Sequence, residues 1–342
     1  MAPQPVTPER ILQFAWGFAP PLMLEAAIRH RVFDVLDDGA KTLEDVSRET
    51  GASVRGLSAL MTGLAAFDFV SKDGELYSLT PESAAFLVSH KPAFQGGLLR
   101  QMSAQIIPGW LHLNNCIESG QPVTQVNDEA EGGAFFEDLV QSLFALNYAA
   151  AQVLAAHLKL EGAKAEGAGL EGDAPIRVLD LAAGSGVWGI ALAQSSPQVH
   201  ITVVDWEQVL PIARCNAEKF GLSERLDTIA GDIADVPFGD GFAVATLGHI
   251  LHSEGRQRSR ALLKKTFEAL SPGGTIAIAE FLVNEERSGP PSGAIFAVNM
   301  LLHTKEGDAY SFEEISEWLL ETGFENPRLL PAPAPSPLVL AT

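Results

Sequence analysis

Apolar side chains in the first quarter of the chain recur at helical spacing and are followed by a short alternating pattern. Leu24, Ile28 and Val32 lie four residues apart and predict one helix that runs through all three. A second helix is predicted after Thr42, which can cap it, and a third over 53–67. The next two short runs, which flank an Asp-Gly turn, predict a β-hairpin.

Three helices followed by a hairpin are typical of a winged helix, a fold often associated with DNA. The third helix would be the one to enter a groove, yet Arg55 is its only charged residue. The hairpin adds Lys72 beside three acids, so neither element offers a basic face to phosphates. This pattern favours a protein-contact module, with DNA binding as the alternative.

Beyond the hairpin, a long apolar stripe and then a regular alternation mark the rest of the chain. Residues 135–160 predict one long helix that joins the two halves. A Gly-, Ala- and Glu-rich run at 161–175 predicts a flexible linker. From Ile176 onwards strand and helix patterns alternate, which builds a parallel sheet covered on both faces. We therefore predict a helical domain at 1–160, the linker, and an α/β domain at 176–342.

Composition and charge narrow the class of protein. The chain has 342 residues, 46% of them hydrophobic and 19% charged, a balance typical of a folded globular protein with room for two domains. Its formal net charge of −20 repels phosphate backbones and anionic surfaces, so we predict no nucleic-acid partner and no membrane partner. Cys116 and Cys215 lack metal or disulfide spacing, and no leader pattern or long uninterrupted apolar run is evident. We expect a cytoplasmic protein.

Acidic residues end successive strands of the predicted sheet, at the edge where an α/β fold binds its ligands. The first strand ends at Asp180, and the loop after it contains the G-x-G-x-x-G spacing from Gly184 to Gly189. That spacing also suits a dinucleotide, but a carboxylate at Asp180 opposes a pyrophosphate. Asp205 and Asp232 end the next two strands. Three carboxylates suit a ligand with a ribose, an exocyclic amine and a positive centre, which describes S-adenosylmethionine.

These motifs resemble those of the class I methyltransferases that use S-adenosylmethionine. The likeness rests on the runs at 178–186, 203–206 and 231–233. It implies that the glycine loop lies against the methionine part, that Asp205 holds the ribose and that the residue after it packs on adenine. It also implies that Asp232 meets the adenine amine. The residues predicted to bind the donor are Asp180, Gly184, Ser185, Gly186, Asp205, Trp206, Gly231, Asp232, Ile233 and His249.

Over nearly its whole length the chain is similar to the small-molecule O-methyltransferases of the acetylserotonin and caffeic-acid type. The likeness includes the runs at 249–252, 270–274 and 300–303. It implies a homodimer formed through an N-terminal winged-helix domain, and a Rossmann-like, doubly wound, seven-stranded α/β domain. It also implies His252 as the general base and Glu280 as the carboxylate that orients it, with no metal. A histidine can take a proton at neutral pH, and a carboxylate on its other nitrogen fixes the tautomer.

Two positions depart from that family. Ser253 and Glu254 follow the histidine where aromatic-acid members have Asp-Trp, and Ala309 stands where a second orienting glutamate is expected. Methylation of a hydroxyl oxygen on a small molecule is therefore the main hypothesis. The alternatives are a sulfur, nitrogen or carbon acceptor on the same fold, and a winged-helix regulator that responds to S-adenosylmethionine. The side chains predicted to line the acceptor pocket are Phe144, Asn147, Tyr148 and Met300.

Overall fold

The computed structural model describes residues 6–123, 129–160, 175–333 and 335–342, with the backbone alone for 129–139 and 141. The chain divides into two compact units, Met1–Leu111 and His112–Thr342. All but the last residue of the predicted linker at 161–175 lies outside the described residues. The predicted domain boundaries therefore stay a prediction.

The N-terminal unit is mostly helical, with a small antiparallel sheet of strand order β1-β3-β2. A π-helical segment, Met102–Ile106, connects its last two helices. Its elements in chain order are α1 (Glu9–Ala15), α2 (Ala19–Arg29), α3 (Val32–Asp37), β1 (Lys41–Thr42), α4 (Leu43–Thr50), α5 (Val54–Ala66), β2 (Val70–Asp73), β3 (Leu76–Leu79), α6 (Pro81–Phe86), α7 (Gly96–Gln101) and α8 (Ile107–Trp110).

The helices and the hairpin predicted for this unit are present, with one correction. Thr42 and Ser53 cap α4 and α5, because their side-chain oxygens accept hydrogen bonds from backbone N–H groups of the first turn. β2 and β3 pair as the predicted antiparallel hairpin. The single helix expected to run through Val32 is wrong. The chain breaks between α2 and α3 because Arg31 has a left-handed φ of 58°, which cannot continue a right-handed helix.

The core of the N-terminal unit lies among α2 to α5 and includes the fully buried Phe33 and Met61. In contrast, α1 has no buried residue, and Phe14 and Trp16 are 74% and 71% exposed. The stretch Glu9–Arg29 is long and apolar enough to span a membrane by length and composition alone. Core helices of soluble proteins and signal sequences pass the same test, so one such stretch is weak support for a membrane protein.

The second unit combines a large sheet with helices on both of its faces. A 3-10 turn, Ser223–Arg225, precedes its third strand. Its elements in chain order are α9 (Leu113–Ser119), α10 (Glu129–Leu158), β4 (Ile176–Leu181), α11 (Val187–Ser195), β5 (Val199–Asp205), α12 (Leu210–Lys219), β6 (Leu226–Ala230), β7 (Phe242–Gly248), α13 (Leu251–Ala269), β8 (Leu270–Ala279), α14 (Pro291–His303), α15 (Phe312–Thr322), β9 (Arg328–Leu330) and β10 (Leu338–Ala341).

Seven strands form one sheet in the order β6-β5-β4-β7-β8-β10-β9. The neighbours from β6 to β8 pair in parallel, while β10 pairs antiparallel with β8 and with β9. This arrangement confirms the predicted Rossmann-like, doubly wound sheet and its closing hairpin. The chain moves outward from β4 to β6 and then returns to β7 on the other side of β4. The carboxyl ends of β4 and β7 therefore border the switch point at which α/β sheets bind ligands.

The helix after β7 begins earlier than its apolar pattern predicts. The pattern predicts a helix over 258–270, whereas α13 spans Leu251–Ala269. Gly255 interrupts its first turns with a φ of 74° and a ψ of 163°, so helical periodicity is not continuous there. Because of this early start, His252 lies in the first turn of α13, directly beyond the end of β7.

Candidate active site

Asp180, at the end of β4, is completely buried beneath the glycine loop. Its Oδ2 accepts a hydrogen bond from the backbone N–H of Gly189 at 3.0 Å, and its Oδ1 accepts one from the Thr246 hydroxyl at 2.7 Å. Burial raises the pKa of Asp180 to about 7, although both hydrogen bonds act to lower it. Asp180 thus joins β4, α11 and β7, and it has no exposed surface for a ligand.

The loop after β4 uses glycine where the backbone conformation and the available space require it. Gly186 directly precedes α11 with a φ of 71°. A Cβ at Gly189 would collide with the Ile201 side chain, so α11 lies close against the sheet. The buried Ser185 accepts a hydrogen bond on its carbonyl from the Asn216 amide of α12 at 3.0 Å. The loop is therefore held by the sheet on one side and by α12 on the other.

Asp205, at the end of β5, binds the same loop from the neighbouring strand. Its Oδ2 accepts a hydrogen bond from the Gly184 N–H at 2.7 Å, and its Oδ1 accepts one from the Trp206 N–H at 2.7 Å. Burial raises the pKa of Asp205 to about 6, against the lowering effect of these two donors. Each carboxylate oxygen accepts more than one hydrogen bond, so Asp205 can still receive hydroxyl donors.

The segment after β6 completes this edge of the sheet. The Gly231 N–H donates to the Asp205 carbonyl at 2.9 Å. The side chain of Asp232 is 35% exposed, and its Oδ1 accepts a hydrogen bond from the Ala234 N–H at 2.8 Å. Ile233 is buried in the core below. The predicted donor-binding residues that follow β4, β5 and β6 thus lie along one edge, linked by hydrogen bonds from the glycine loop to Gly231.

His249, directly after β7, has a different environment from the other predicted donor residues. Its φ of 60° is one that non-glycine residues rarely adopt. Its Nε2 lies 2.9 Å from the Ser336 hydroxyl, and its ring centroid lies 5.1 Å from that of Phe281. Burial lowers the pKa of His249 to about 4 despite the nearby Glu280 carboxylate, so the ring is neutral at pH 7. The structure links His249 to the loop before β10, and its predicted donor-binding role stays a prediction.

His252 and Glu280 form a buried hydrogen-bonded pair. The His252 Nδ1 lies 2.6 Å from Glu280 Oε1, and the His252 backbone N–H donates to Oε2 at 3.1 Å. Glu280 directly follows β8, is completely buried, and also accepts the Phe281 N–H at 3.0 Å. Burial alone would raise the pKa of Glu280, but the charge and hydrogen bond of His252 outweigh it and hold that pKa below its usual range. Among the described residues, His252 Nε2 has no hydrogen-bond partner.

Aromatic rings surround the imidazole of His252. The Phe296 ring of α14 meets it edge-on at a centroid distance of 4.7 Å, and Phe281 stacks on Phe296 at 4.0 Å. Met300 lies one helical turn beyond Phe296 on the same face of α14 and is 5% exposed. Met300 is among the acceptor residues predicted from the sequence, whereas neither phenylalanine is. The spacing of Phe296 and Met300, and the position of Phe281 directly after Glu280, are the signals that could have found them.

The segment after α14 packs against His252 but offers it no second carboxylate. The Asp308 backbone N–H donates to the His252 carbonyl at 2.9 Å. Its carboxylate instead forms two hydrogen bonds with Arg287, at 2.6 and 2.7 Å. Ala309, at the position expected for an orienting glutamate, is completely buried. In the described ranges, Glu280 is therefore the one carboxylate bonded to the His252 ring.

Comparison with known families decides the class of protein. A model described as the O-methyltransferase domain matches residues 110–325, and one described as the O-methyltransferase dimerisation domain matches 12–89. The chain belongs to the O-methyltransferase family. The predicted enzyme class, an S-adenosylmethionine-dependent O-methyltransferase, is confirmed.

Individual relatives of this O-methyltransferase cover nearly the whole chain. The 3-hydroxy-5-methyl-1-naphthoate 3-O-methyltransferase of Streptomyces sahachiroi is 28% identical over 325 residues, or 94% of this chain and 90% of the relative. The N,N-dimethyltransferase OxyT of Streptomyces rimosus is 25% identical, with 92% and 90% covered. Human N-acetylserotonin methyltransferase, solved in complex with SAM, has the same fold with a TM-score of 0.78 at 23% identity, covering 100% of this chain and 99% of that structure.

The other predicted acceptor residues of the O-methyltransferase lie on α10, where Phe144 and Tyr148 contact α11 and the segment after α12. Phe144 stacks on Tyr148 and on Phe220 of the segment after α12, with centroid distances of 5.3 and 5.4 Å. The Tyr148 hydroxyl donates to the side chain of Gln194 in the last turn of α11, at 2.8 Å. Asn147 is buried, and its Oδ1 lacks a hydrogen-bond partner among the described residues. Their acceptor-binding roles stay predictions.

The described part of the O-methyltransferase contains no group of three or more His, Cys, Asp or Glu side chains that could hold a metal ion. The acids at the sheet edge are bonded to backbone N–H groups, to Thr246 and to Arg258. Two parts of the structure carry the candidate chemistry: the His252–Glu280 pair, and the donor edge, which comprises Asp180, Asp205, Asp232 and the glycine loop at 184–186.

Proposed function

We propose that this chain is a homodimeric enzyme that moves a methyl group from S-adenosylmethionine to a hydroxyl oxygen of a small molecule, with His252 as the general base. The observation that carries the proposal is the 2.6 Å bond between His252 Nδ1 and Glu280. It engages one ring nitrogen and leaves Nε2 to accept a proton. The Phe281 and Phe296 rings also support the proposal, because they pack against the imidazole and shield it from water.

The donor edge fits S-adenosylmethionine. Asp205 would accept the ribose hydroxyls, Asp232 the adenine amine, and Trp206 would pack on adenine. The backbone at Gly184, Ser185 and Gly186 would face the methionine part, while Gly231 and Ile233 shape the adenine side. Asp180 supports this loop from below.

The chain's own part in the reaction is to position the acceptor and to take a proton. The donor supplies an electrophilic methyl group on its sulfonium. His252 Nε2 removes the hydroxyl proton as the oxygen bonds to the methyl carbon, and the carbon–sulfur pair of electrons returns to sulfur. Glu280 stabilises the imidazolium and fixes its orientation. Base catalysis of this kind contributes on the order of 10²–10⁴ in rate, and alignment of the reactants about 7–11 kcal/mol.

Exposed apolar residues support a homodimer formed through the N-terminal unit. Ile11 and Phe14 of α1 and Trp16 directly after it are exposed in the single chain, and the matched dimerisation domain, 12–89, includes Phe14 and Trp16. Burial of such side chains against a second copy is favourable by roughly 1.5–3 kcal/mol each. We further propose a cytoplasmic location, consistent with Cys116 and Cys215 as free thiols.

The function is tested by incubating the purified chain with methyl-labelled S-adenosylmethionine and a panel of phenols, thiols, anilines and carbon nucleophiles. We expect label on a phenolic oxygen, with one S-adenosylhomocysteine formed for each methyl transferred. Label on nitrogen would replace the oxygen acceptor by the alternative that the N,N-dimethyltransferase relative supports, and label on sulfur or carbon would replace it by one of the other two alternatives. Retention of duplex DNA without any methyl transfer would favour the regulator instead.

A further inference from the structure

The Asp232 carboxylate pairs with Arg258, a residue that lies outside the sequence runs that resemble the methyltransferases. The Arg258 Nη2 lies 3.2 Å from Asp232 Oδ1 and 3.3 Å from Oδ2. Arg258 belongs to α13, whereas Asp232 follows β6, so the contact joins two elements that are distant in sequence. The Ala234 N–H bonds Oδ1 as well. Together these donors leave lone pairs of the carboxylate for a further donor.

Arg258 is itself held by a second acid. Its Nε donates to Glu254 Oε2 at 2.5 Å, one turn earlier on α13. Glu254 is 8% exposed and lies two residues after His252. Burial raises the pKa of Glu254, and the charge of Arg258 opposes that shift. The guanidinium fork therefore bridges a carboxylate on the donor edge and one beside the candidate base, a geometry that an arginine satisfies and a lysine does not.

A second cation of α13 binds the same segment. The Lys265 Nζ donates to the carbonyls of Ile233 and Ala234, at 2.8 and 3.0 Å. Arg258 and Lys265 lie two helical turns apart, so both project from one face of α13. The segment 232–234 is thus fixed to α13 at its side chain and at its backbone.

We propose that Arg258 is a positioning residue for the methyl donor, and that it holds the Asp232 carboxylate in the orientation that accepts the adenine 6-amino group. This inference rests on the proposed role of Asp232. The structure provides the carboxylate with two protein donors and a fixed backbone, which lowers the entropic cost of ordering it when the ligand binds.

Calorimetric titration with S-adenosylhomocysteine tests the proposal on the full chain. We expect Asp232→Asn to weaken binding about tenfold and Arg258→Met about fivefold. The double variant should bind no more weakly than Asp232→Asn alone, because Arg258 acts through Asp232. Arg260→Met is the matched control: Arg260 lies on the same helix as Arg258 but pairs with the exposed Glu321 of α15, so its loss should leave the dissociation constant unchanged.

An analogue of S-adenosylhomocysteine whose purine lacks the 6-amino group separates positioning from a general structural effect. Arg258→Met should bind this analogue as well as the wild type does. The proposal would be overturned if the affinity losses of the two single variants added up in the double variant. It would also be overturned if Arg258→Met lost as much affinity for the analogue as for S-adenosylhomocysteine. Wild-type affinity of Asp232→Asn would instead overturn the proposed role of Asp232. If Arg258→Met folds poorly, Glu254→Gln combined with Arg258→Met removes the unpaired carboxylate and is measured in its place.

Discussion

The donor edge and the acceptor side of the second unit are built from different parts of the chain. The donor edge uses Asp180, Asp205 and Asp232, which lie at the ends of three successive strands and accept hydrogen bonds from backbone N–H groups. The acceptor side combines α13, the end of β8, α14 and the loop around Asp308. A site made from strand ends is set by the sheet itself. A site made from helix faces depends on how each helix packs.

The two regions also differ in how their charges are compensated. Burial raises the pKa of Asp180 and Asp205 to about 7 and about 6, and no cation is bonded to either carboxylate within the described residues. Glu280 is as completely buried as Asp180, yet His252 holds the pKa of Glu280 below its usual range. Hydrogen-bond donors alone therefore oppose the effect of burial on Asp180 and Asp205, whereas at Glu280 the charge of His252 opposes it as well.

Replacing the candidate base gives the largest expected effect. His252→Ala should lower kcat by about 10²–10⁴, because the hydroxyl proton then has no acceptor at the site. The dissociation constant for S-adenosylhomocysteine should stay within about twofold, since the donor edge is untouched. Steady-state kinetics and calorimetry measure the two values. His200→Gln, at an exposed position on β5, is the control. An unchanged kcat would exclude His252 as the base.

Glu280→Gln tests the orienting carboxylate and should lower kcat by about 10²-fold, because an amide neither fixes the tautomer nor stabilises the imidazolium. Asp308→Asn is the matched variant. Its carboxylate pairs with Arg287 and does not reach the His252 ring, so it should lose less than about threefold. If both variants lose the same activity, the loss reflects local packing, and the orienting role of Glu280 is wrong.

The raised pKa of Asp205 makes donor binding depend on pH. The carboxyl is mostly ionised above about pH 6 and mostly protonated below it. Ribose hydroxyls donate to the ionised form, so affinity for S-adenosylhomocysteine should fall about tenfold from pH 7 to pH 5. Asp205→Asn should bind S-adenosylhomocysteine weakly at both pH values, and most of the change in affinity with pH should disappear. A wild-type slope in the variant would assign the titration to another group.

The contrast between the two regions explains what the sequence could predict. The order of strands and the acids after β4, β5 and β6 follow from alternation, because each acid ends a buried apolar run. The His252–Glu280 pair came from family resemblance, since 28 residues of sequence separate two side chains that the parallel strands β7 and β8 bring together. Phe281 and Phe296 were missed because periodicity does not distinguish a pocket wall from the core. The break at Arg31 could not be predicted, because this residue adopts a left-handed φ although it is not a glycine, the residue type that usually marks such a conformation.

Tyr148 gives the smallest expected effect and tests whether α10 contributes to the acceptor side. Its hydroxyl donates to Gln194, and its ring packs on Phe144 and Phe220. Tyr148→Phe should therefore lower the free energy of unfolding by about 0.5–1.5 kcal/mol and leave the acceptor KM unchanged. Met300→Ala, one turn from Phe296, should raise that KM. Urea unfolding and steady-state kinetics on both variants separate the two roles. A raised acceptor KM in Tyr148→Phe would instead indicate that α10 lines the acceptor pocket.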